Sequence, residues 1–516
     1  MERPVARRRS LPRITWRRAR PEPASAPAGR PESSPPDGWA TVRTASRPTS
    51  ARPRVRITSE TLVAAGVALR SARSRRSAPL LAMSLALGVA GALGAGAGAA
   101  GAARATVTLT PPATPVLIPT TAPAEPIVKA EPPGTTFEIQ SGVHAQNFSV
   151  EPKAGDVFEA DPGAVLDGGY GCASCVQLRD AFHAGLHWPT ENGVVITGPG
   201  LPSLLVIRNY DQNCGAGCDD PEQHGVIDPY CNCGAYAGSA TNWTVDYTQV
   251  TNSFSRAITA RGGMVIENST VDHNGRLGIG GGDQNTGAIT IVNDTIVNNN
   301  TRSVCTSPGE CGGVKLSATG GAQITRNVIS ANTGPGVWFD GGSGTAADPD
   351  VVANNVIDNN TGAAVRLETA SYVTVTGNVM DSDGADHTQA VIDCVSCSSV
   401  TVSANTVTNI EAKAGVLVYQ DSRAAQYPVN NVTVTANTFA GPATAGVRNG
   451  IRQCNTASIC NGSVYRANVV FSANTYACGS FDWGGSVGSE TTPPSVSLSW
   501  AQWRAHGFDT TGSYRC

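Results

Sequence analysis

The chain has 516 residues, 57 of them glycine and 33 proline, and only 15% are charged; that excludes a mainly helical protein, which would draw on Leu, Glu and Lys, and the length suits a repeat array better than one ordinary core. The net charge of −3 conceals a division, because residues 1–78 carry 18 arginines against five acids (a net +13) and residues 79–516 therefore carry −16. An acidic body argues against nucleic acid as the partner of the folded part.

Residues 1–77 are rich in Arg, Pro, Ser and Ala without a periodic apolar pattern, so they cannot bury enough surface to offset their ordering entropy and read as a disordered tail. An uncharged run from Ser77 to Ala103 follows, with Arg70, Arg73, Arg75 and Arg76 on its N-terminal side, as the positive-inside rule expects. Residues 78–105 are accordingly expected to be either a signal peptide, with a small-x-small site at Ala103-Arg104-Ala105, or a membrane anchor through 78–103. Both place the remainder outside the cytoplasm. Residues 106–133, rich in Pro and Thr, read as a stiff linker.

From Gly134 the texture becomes one of short β-forming runs with an internal repeat. Gln323-ITRNVI-Ser330, Val351-VANNVI-Asp358, Val373-TVTGNVM-Asp381, Val400-TVSANTV-Thr408, Val432-TVTANTF-Ala440 and Val469-VFSANTY-Ala477 each hold alternating β-formers, an Asn, one further residue and an apolar residue. The asparagines are Asn327, Asn355, Asn378, Asn405, Asn437 and Asn474, spaced by 28, 23, 27, 32 and 37. Weaker copies precede them at Val265-IENSTV-Asp272 and Thr290-IVNDTIV-Asn298. A coil of about 22 residues with loops inserted at one corner explains a variable period. Each Asn is expected to take the left-handed conformation at a turn, and stacked copies to form amide ladders. The apolar residue two positions later faces the core.

Fourteen cysteines are present, all after Gly171. Six close pairs stand out: Cys172 with Cys175, Cys214 with Cys218, Cys231 with Cys233, Cys305 with Cys311, Cys394 with Cys397 and Cys454 with Cys460; Cys478 and Cys516 remain. An even number beyond a hydrophobic segment reads as disulfides in an oxidising compartment. The competing reading is a four-sulfur zinc site from Cys214, Cys218, Cys231 and Cys233, which suits reducing compartments. Residues 481–516, ending in the aromatic stretch from Trp500, read as a cap tied by Cys478 to Cys516, since an uncapped solenoid end exposes core and strand edges.

These repeats resemble the right-handed parallel β-helix family, the pectate-lyase-like architecture, over about residues 134–480. The opening from Gly134 to Gly169 resembles the first coils of its bacterial members. Gly312-GVKL-Ser317, Asn332-TGPGVWF-Asp340 and Trp503-RAHGFDTTG-Ser513 resemble one secreted bacterial branch. The resemblance implies an all-β chain, a single-stranded right-handed solenoid with a disordered N-terminal tail and a small C-terminal cap, acting on polysaccharide or cell-surface glycan. It does not imply one reaction, because β-helices host hydrolases, lyases and inert fibres.

Candidate chemistry lies on the strands at Gly312–Ser317, 336–340, 364–368 and 415–419. Alternation sends Lys315, Trp338, Arg366 and Leu417 outward in one column, and Ser317, Asp340, Glu368 and Tyr419 in the next; Asp393 falls nearby in uncertain register. With rungs about 4.8 Å apart, the Asp340 and Glu368 carboxyls are expected roughly 5 Å apart. Paired carboxylates repel, so that one keeps its proton, which is what glycoside hydrolysis requires. Lys315, Arg366 and Tyr419 can hold a sugar, and Trp338 can stack on its face. The competing reading makes the charges a solvated surface with weak ion pairs and Trp338 a cation–π partner of Lys315 and Arg366. Hydrolase is expected before lyase, with a non-catalytic glycan-binding or adhesin-like β-helix as the alternative.

His224 and Asp228 sit in a Cys-rich insertion that can roof one end of the groove; this histidine, like the others in the chain, reads as polar surface or capping. Asp283, Asp348 and Asp350 lie in loops that can bind calcium, but no calcium-loop motif supports it. No cofactor is expected.

Overall fold

The computed structural model describes residues 114–184, 191–213, 224–231, 238–282, 287–303, 311–342, 344–381, 390–408, 414–419, 428–440, 447–452, 468–483 and 496–516. The Arg-rich tail and the signal or anchor segment lie outside them. Among the described residues, no helix is long and apolar enough to cross a membrane.

Successive coils each contribute one strand to three long sheets. The first sheet runs from Val116–Ile118 to Val469–Ser472, the second from Gly142–Ala145 to Ser513–Arg515, and the third from Phe182–His183 to Gly479–Trp483. Neighbouring strands within each sheet are parallel, save where Val496–Leu498 closes the third sheet antiparallel to Gly479–Trp483. A separate antiparallel hairpin joins Tyr230–Cys231 to Gly238–Ser239. This is a parallel β-helix, in which strand alternation sends every second residue inward. One inward column of the first sheet reads Phe137, Phe158, Ile196, Val245, Ile266, Ile291, Ile324, Val352, Val375, Val402, Val434 and Phe471, in unbroken register. All of them are buried.

The helix begins earlier than the sequence suggests. Val116–Ile118 pairs with Thr136–Ile139, and Ala124–Ala130 is a helix burying Ala124 and Val128. Residues 116–130 thus belong to the first coil and its lid, although their prolines suggested a linker. Val116, Ile118 and Val128 supply an apolar phase that the proline count obscured. At the other end the helix Trp500–Ala505, capped by Ser499 and Gln502, lays Trp503 against Phe471, Phe481 and Phe508. Cys478 and Cys516 are bonded, as are Cys172 and Cys175, and Cys394 and Cys397. Cys311 is also disulfide-bonded. Cys214, Cys218, Cys233, Cys305, Cys454 and Cys460 lie outside the described residues, as does the side chain of Cys231.

The repeating asparagines form a buried ladder between the first and second sheets. Each side-chain Nδ2 donates to the Oδ1 of the next coil: Asn327 to Asn355 at 3.0 Å, Asn355 to Asn378 at 3.0 Å, Asn378 to Asn405 at 2.9 Å, Asn405 to Asn437 at 2.9 Å and Asn437 to Asn474 at 2.9 Å. The backbone N–H of each donates to the same oxygen, and the second Nδ2 hydrogen reaches a backbone carbonyl, such as Val352 for Asn378. Every donor and acceptor of the amide is thereby used. Asp294 heads the ladder, its carboxyl pushed well above the usual range by burial despite N–H bonds from Ser269 and Val292. Asp509 ends it, accepting from Asn474 and from the Tyr476 hydroxyl. A second ladder links Asn274, Asn299, Asn332 and Asn360.

The ladder asparagines are not themselves left-handed, contrary to expectation. The residue before each one is: Arg326, Asn354, Gly377, Ala404, Ala436 and Ala473 have φ between 54° and 66°. The left-handed residue turns the corner, and this aims the following amide into the dry interior. In the two weaker repeats Asn268 and Asn293 take the left-handed position, leaving the ladder position to Ser269 and Asp294.

Asp350 also departs from its expected place in a calcium-binding loop. It opens the strand Asp350–Ala353, in register with inward-facing Val373. It accepts hydrogen bonds from Ala322 N at 2.8 Å and Thr319 Oγ1 at 3.4 Å. Burial pushes its carboxyl up to about 7. A folded-state pKa above the unfolded 3.8 means that stability falls as pH rises between 3.8 and about 7. Asp350→Asn removes that loss: thermal melts will show the variant more stable than wild type above pH 7, with the gain disappearing in acid. Asn378→Ala strips the acceptor from the Asn355 N–H and Nδ2 and the donor from Val352. Urea unfolding is expected to show a loss of at least about 3 kcal/mol, each orphaned buried group costing about 1–3 kcal/mol.

Candidate functional site

The candidate site residues lie on the outer side of the third sheet. Val314, Leu316, Val337, Phe339, Val365, Leu367, Ile392, Cys394, Val416 and Val418 fill the core, so the residues between them point outward. Parallel pairing then orders two outward columns. One reads Lys315, Trp338, Arg366, Asp393, Leu417, and the other Ser317, Asp340, Glu368, Val395, Tyr419. The columns inferred from sequence are correct up to Glu368 and lack one rung beyond it. Asp393 stands between Arg366 and Leu417, and Val395 separates Glu368 from Tyr419. Tyr419 packs with Ala390, Val395, Ala414 and Leu417 in a small apolar cluster.

The solvated charged face expected under the competing reading is absent here: Lys315, Trp338, Arg366, Glu368 and Asp393 are all buried. Only Asp340 reaches solvent substantially, its side chain 37% exposed. Lys315 Nζ lies 2.9 Å from Asp340 Oδ2. Arg366 binds two carboxylates, Nε to Glu368 Oε2 at 3.1 Å and Nη1 to Asp393 Oδ2 at 3.1 Å. Burial by itself would lower the Arg366 pKa; Asp393 and Glu368 outweigh it and hold the guanidinium above its usual value.

Trp338 lies between two cations from the rungs on either side. Lys315 Nζ is 4.1 Å and the Arg366 guanidinium carbon 5.4 Å from the centre of its ring system. The indole face expected to stack on sugar is taken by the protein's own cations. Its edge remains: among the described residues the buried Nε1–H has no hydrogen-bond partner, a cost of about 1–3 kcal/mol that an acceptor oxygen would relieve. The cluster therefore offers three carboxylates on consecutive rungs, two cations orienting them, and one waiting donor.

Two further rungs of the same column lie toward the N-terminal end. His183 is the register partner of Asp228. His224 Nδ1 is 2.8 Å from Asp228 Oδ2, and both are buried, which corrects the reading of His224 as a surface or capping residue. His183 Nδ1 is 2.8 Å from Asp180 Oδ1. Sequence reasoning missed this pairing because the strands Phe182–His183 and Gly225–Asp228 carry no repeat signature. Among the other histidines, His144 is buried with Nε2 2.9 Å from Gln140 O, and His273 pairs with Asp272 at the surface. His187, His387 and Asp283 lie outside the described residues. Among the described residues, no three His, Cys, Asp or Glu side chains are placed to share a metal ion.

Three parallel sheets stacked coil upon coil define the class, a parallel β-helix protein. Residues 192–384 and 312–439 match the family described as "Right handed beta helix region", so this stretch of the chain is a right-handed β-helix. No curated protein matches the sequence. Solved structures similar to it include the A-module of a mannuronan C-5 epimerase from Azotobacter vinelandii, with 13% identity, 69% of this chain and 86% of that one covered, and a TM-score of 0.39. Others are PfbA, a surface adhesin of Streptococcus pneumoniae (15%, 68% and 83%, TM-score 0.39), and a family 28 exopolygalacturonase of Yersinia enterocolitica (12%, 78% and 78%, TM-score 0.35). Likeness at this level transfers no chemistry.

Arg366 pairs with two buried carboxylates, so its removal takes a cation from each. Arg366→Met is expected to cost about 3–5 kcal/mol in urea unfolding. Arg366→Met combined with Asp393→Leu should recover a large part of that loss.

Proposed function

We propose that the outer face of the third sheet binds and cleaves polysaccharide outside the cytoplasm, as a glycoside hydrolase using Asp340 and Glu368. The observation that carries this reading is their placement as register partners on adjacent rungs, inside a cluster whose other members orient rather than solvate them. Rungs lie about 4.8 Å apart, and a carboxyl spacing near 5 Å favours nucleophilic attack with retention over water-mediated inversion. In this scheme Glu368, oriented by Arg366, is the nucleophile. Asp340, at the solvent-reaching rim, gives its proton to the leaving oxygen and later takes one from water. Lys315 and Arg366 hold the sugar in place, and the Trp338 Nε1–H donates to a ring or hydroxyl oxygen. Tyr419 lines the far end. The scheme uses no cofactor, and the disulfides support an extracytoplasmic setting.

One observation favours a second reading. Asp340 and Glu368 each already hold a cation at hydrogen-bond distance, as a binding surface that cuts nothing would allow. A polysaccharide panel assayed for reducing ends and for unsaturated products separates the readings. Wild type is expected to release reducing ends, and Asp340→Asn and Glu368→Gln to release them at least about 100-fold more slowly. Unsaturated products would mean elimination instead, and equal release by all three proteins would remove both residues from catalysis.

A further inference from the structure

The outward column holding Lys315, Trp338, Arg366 and Asp393 carries a second group of titratable side chains at its N-terminal end, distinct from the carboxylate cluster. Phe182 is in the core, so His183 points outward; Ile227 is in the core, so Asp228 points outward beside it. Thr259, on the strand that follows Gly225–Asp228, and Gly280, register partner of both Thr259 and Lys315, separate the two groups. At about 4.8 Å per rung that separation is on the order of 15 Å.

Both histidines bring Nδ1 to 2.8 Å from a carboxylate oxygen, His183 to Asp180 and His224 to Asp228; the second contact has hydrogen-bond geometry, and the first is an ion-pair contact without it. Asp180 is further fixed by Arg179 Nε at 2.6 Å and the Ser149 hydroxyl at 3.0 Å. A carboxylate on Nδ1 sets ring orientation and tautomer, leaving Nε2 as the edge that exchanges a proton. The two differ in access. His224 and Asp228 are buried to the tip, whereas the His183 side chain is 24% exposed. A pair serving only to fill the interior would not need an imidazole edge at the surface.

We propose that His183, oriented by Asp180 and backed by the Asp228–His224 pair, is the proton-exchanging group of a second site on this face, taking a hydroxylated carbohydrate ligand. The site rests on the reading that the face receives glycan; it does not rest on Asp340 or Glu368. At this site the protonated ring donates its Nε2–H to a ligand oxygen as a hydrogen bond and the neutral ring accepts one at Nε2 from a ligand hydroxyl; the proton itself exchanges with water, and no covalent bond of the ligand is made or broken. Burial opposes the charge on His183, but the Asp180 carboxylate and the more distant Glu125 outweigh burial and the Arg179 cation, raising its pKa from 6.5. The neighbouring Asp228 and His224 complete the charged surroundings.

Carbethoxylation of the full-length protein by diethyl pyrocarbonate, followed residue by residue with mass spectrometry, tests this. His183 is expected to react in the folded protein with a pH midpoint above 6.5. At least one of polygalacturonate, alginate and dextran is expected to slow that reaction about fivefold or more, and Asp180→Asn to lower the midpoint, since burial stays and the carboxylate goes. An unreactive His183, or a rate that none of the three polysaccharides slows, overturns the proposal. Loss of product release in Asp340→Asn and Glu368→Gln, with His183 unprotected, would overturn this site and leave the carboxylate cluster standing.

Discussion

Everything in this molecule depends on holding successive coils in register, and the buried asparagine ladder does that. Backbone pairing alone fixes the spacing of rungs but tolerates slippage by two residues, because alternation is preserved. An amide that must meet both a backbone N–H and a side-chain Nδ2 from the neighbouring coil admits no slip, because a displaced rung leaves several dry polar groups without partners. The coil-to-coil distance varies from 23 to 37 residues, yet every ladder contact from Asn327 to Asn474 stays within 0.1 Å of its neighbours. Inserted length is absorbed elsewhere and never reaches the ladder.

That constraint creates the candidate face. Once the first and second sheets are locked, the third sheet's side chains are stacked by consequence, and residues 23 to 28 positions apart become lateral neighbours. Lys315, Trp338, Arg366 and Asp393 form a line whose charges compensate one another across rungs. The cost of burying each is offset by the next, so the column functions as one electrostatic unit. An outward face is ordinarily solvated, and a buried line of charges there sets the third sheet apart from the other two.

The two ends are solved by aromatic packing. Phe137 stacks on Phe158 in the first coils, and Trp503, Phe508 and Phe481 cover the last. Both ends add a short helix, Ala124–Ala130 at the first coil and Trp500–Ala505 at the last. The antiparallel strand Val496–Leu498 closes the third sheet.

The sequence by itself determined the architecture and much of the candidate site. A recurring Asn followed two residues later by an apolar side chain demands stacked coils, and alternation within 337–340 and 365–368 decides which residues face out, because a strand's period is two. Local chemistry was enough for both. What sequence could not decide was anything set by the partner of a strand. Asp393 entered the Arg366 column only when the coil at Ile392–Val395 was placed, since the insertion before it hides the register. The left-handed corner falls on Ala404 or Arg326 as readily as on Asn, because the next residue's buried amide dictates the turn. His183 met Asp228 across 45 residues that carry no repeat. Strand neighbours in a parallel helix are chosen by through-space hydrogen bonding between coils, and only the folded chain shows which groups share a rung, which cation each carboxylate holds, and which polar edges remain open.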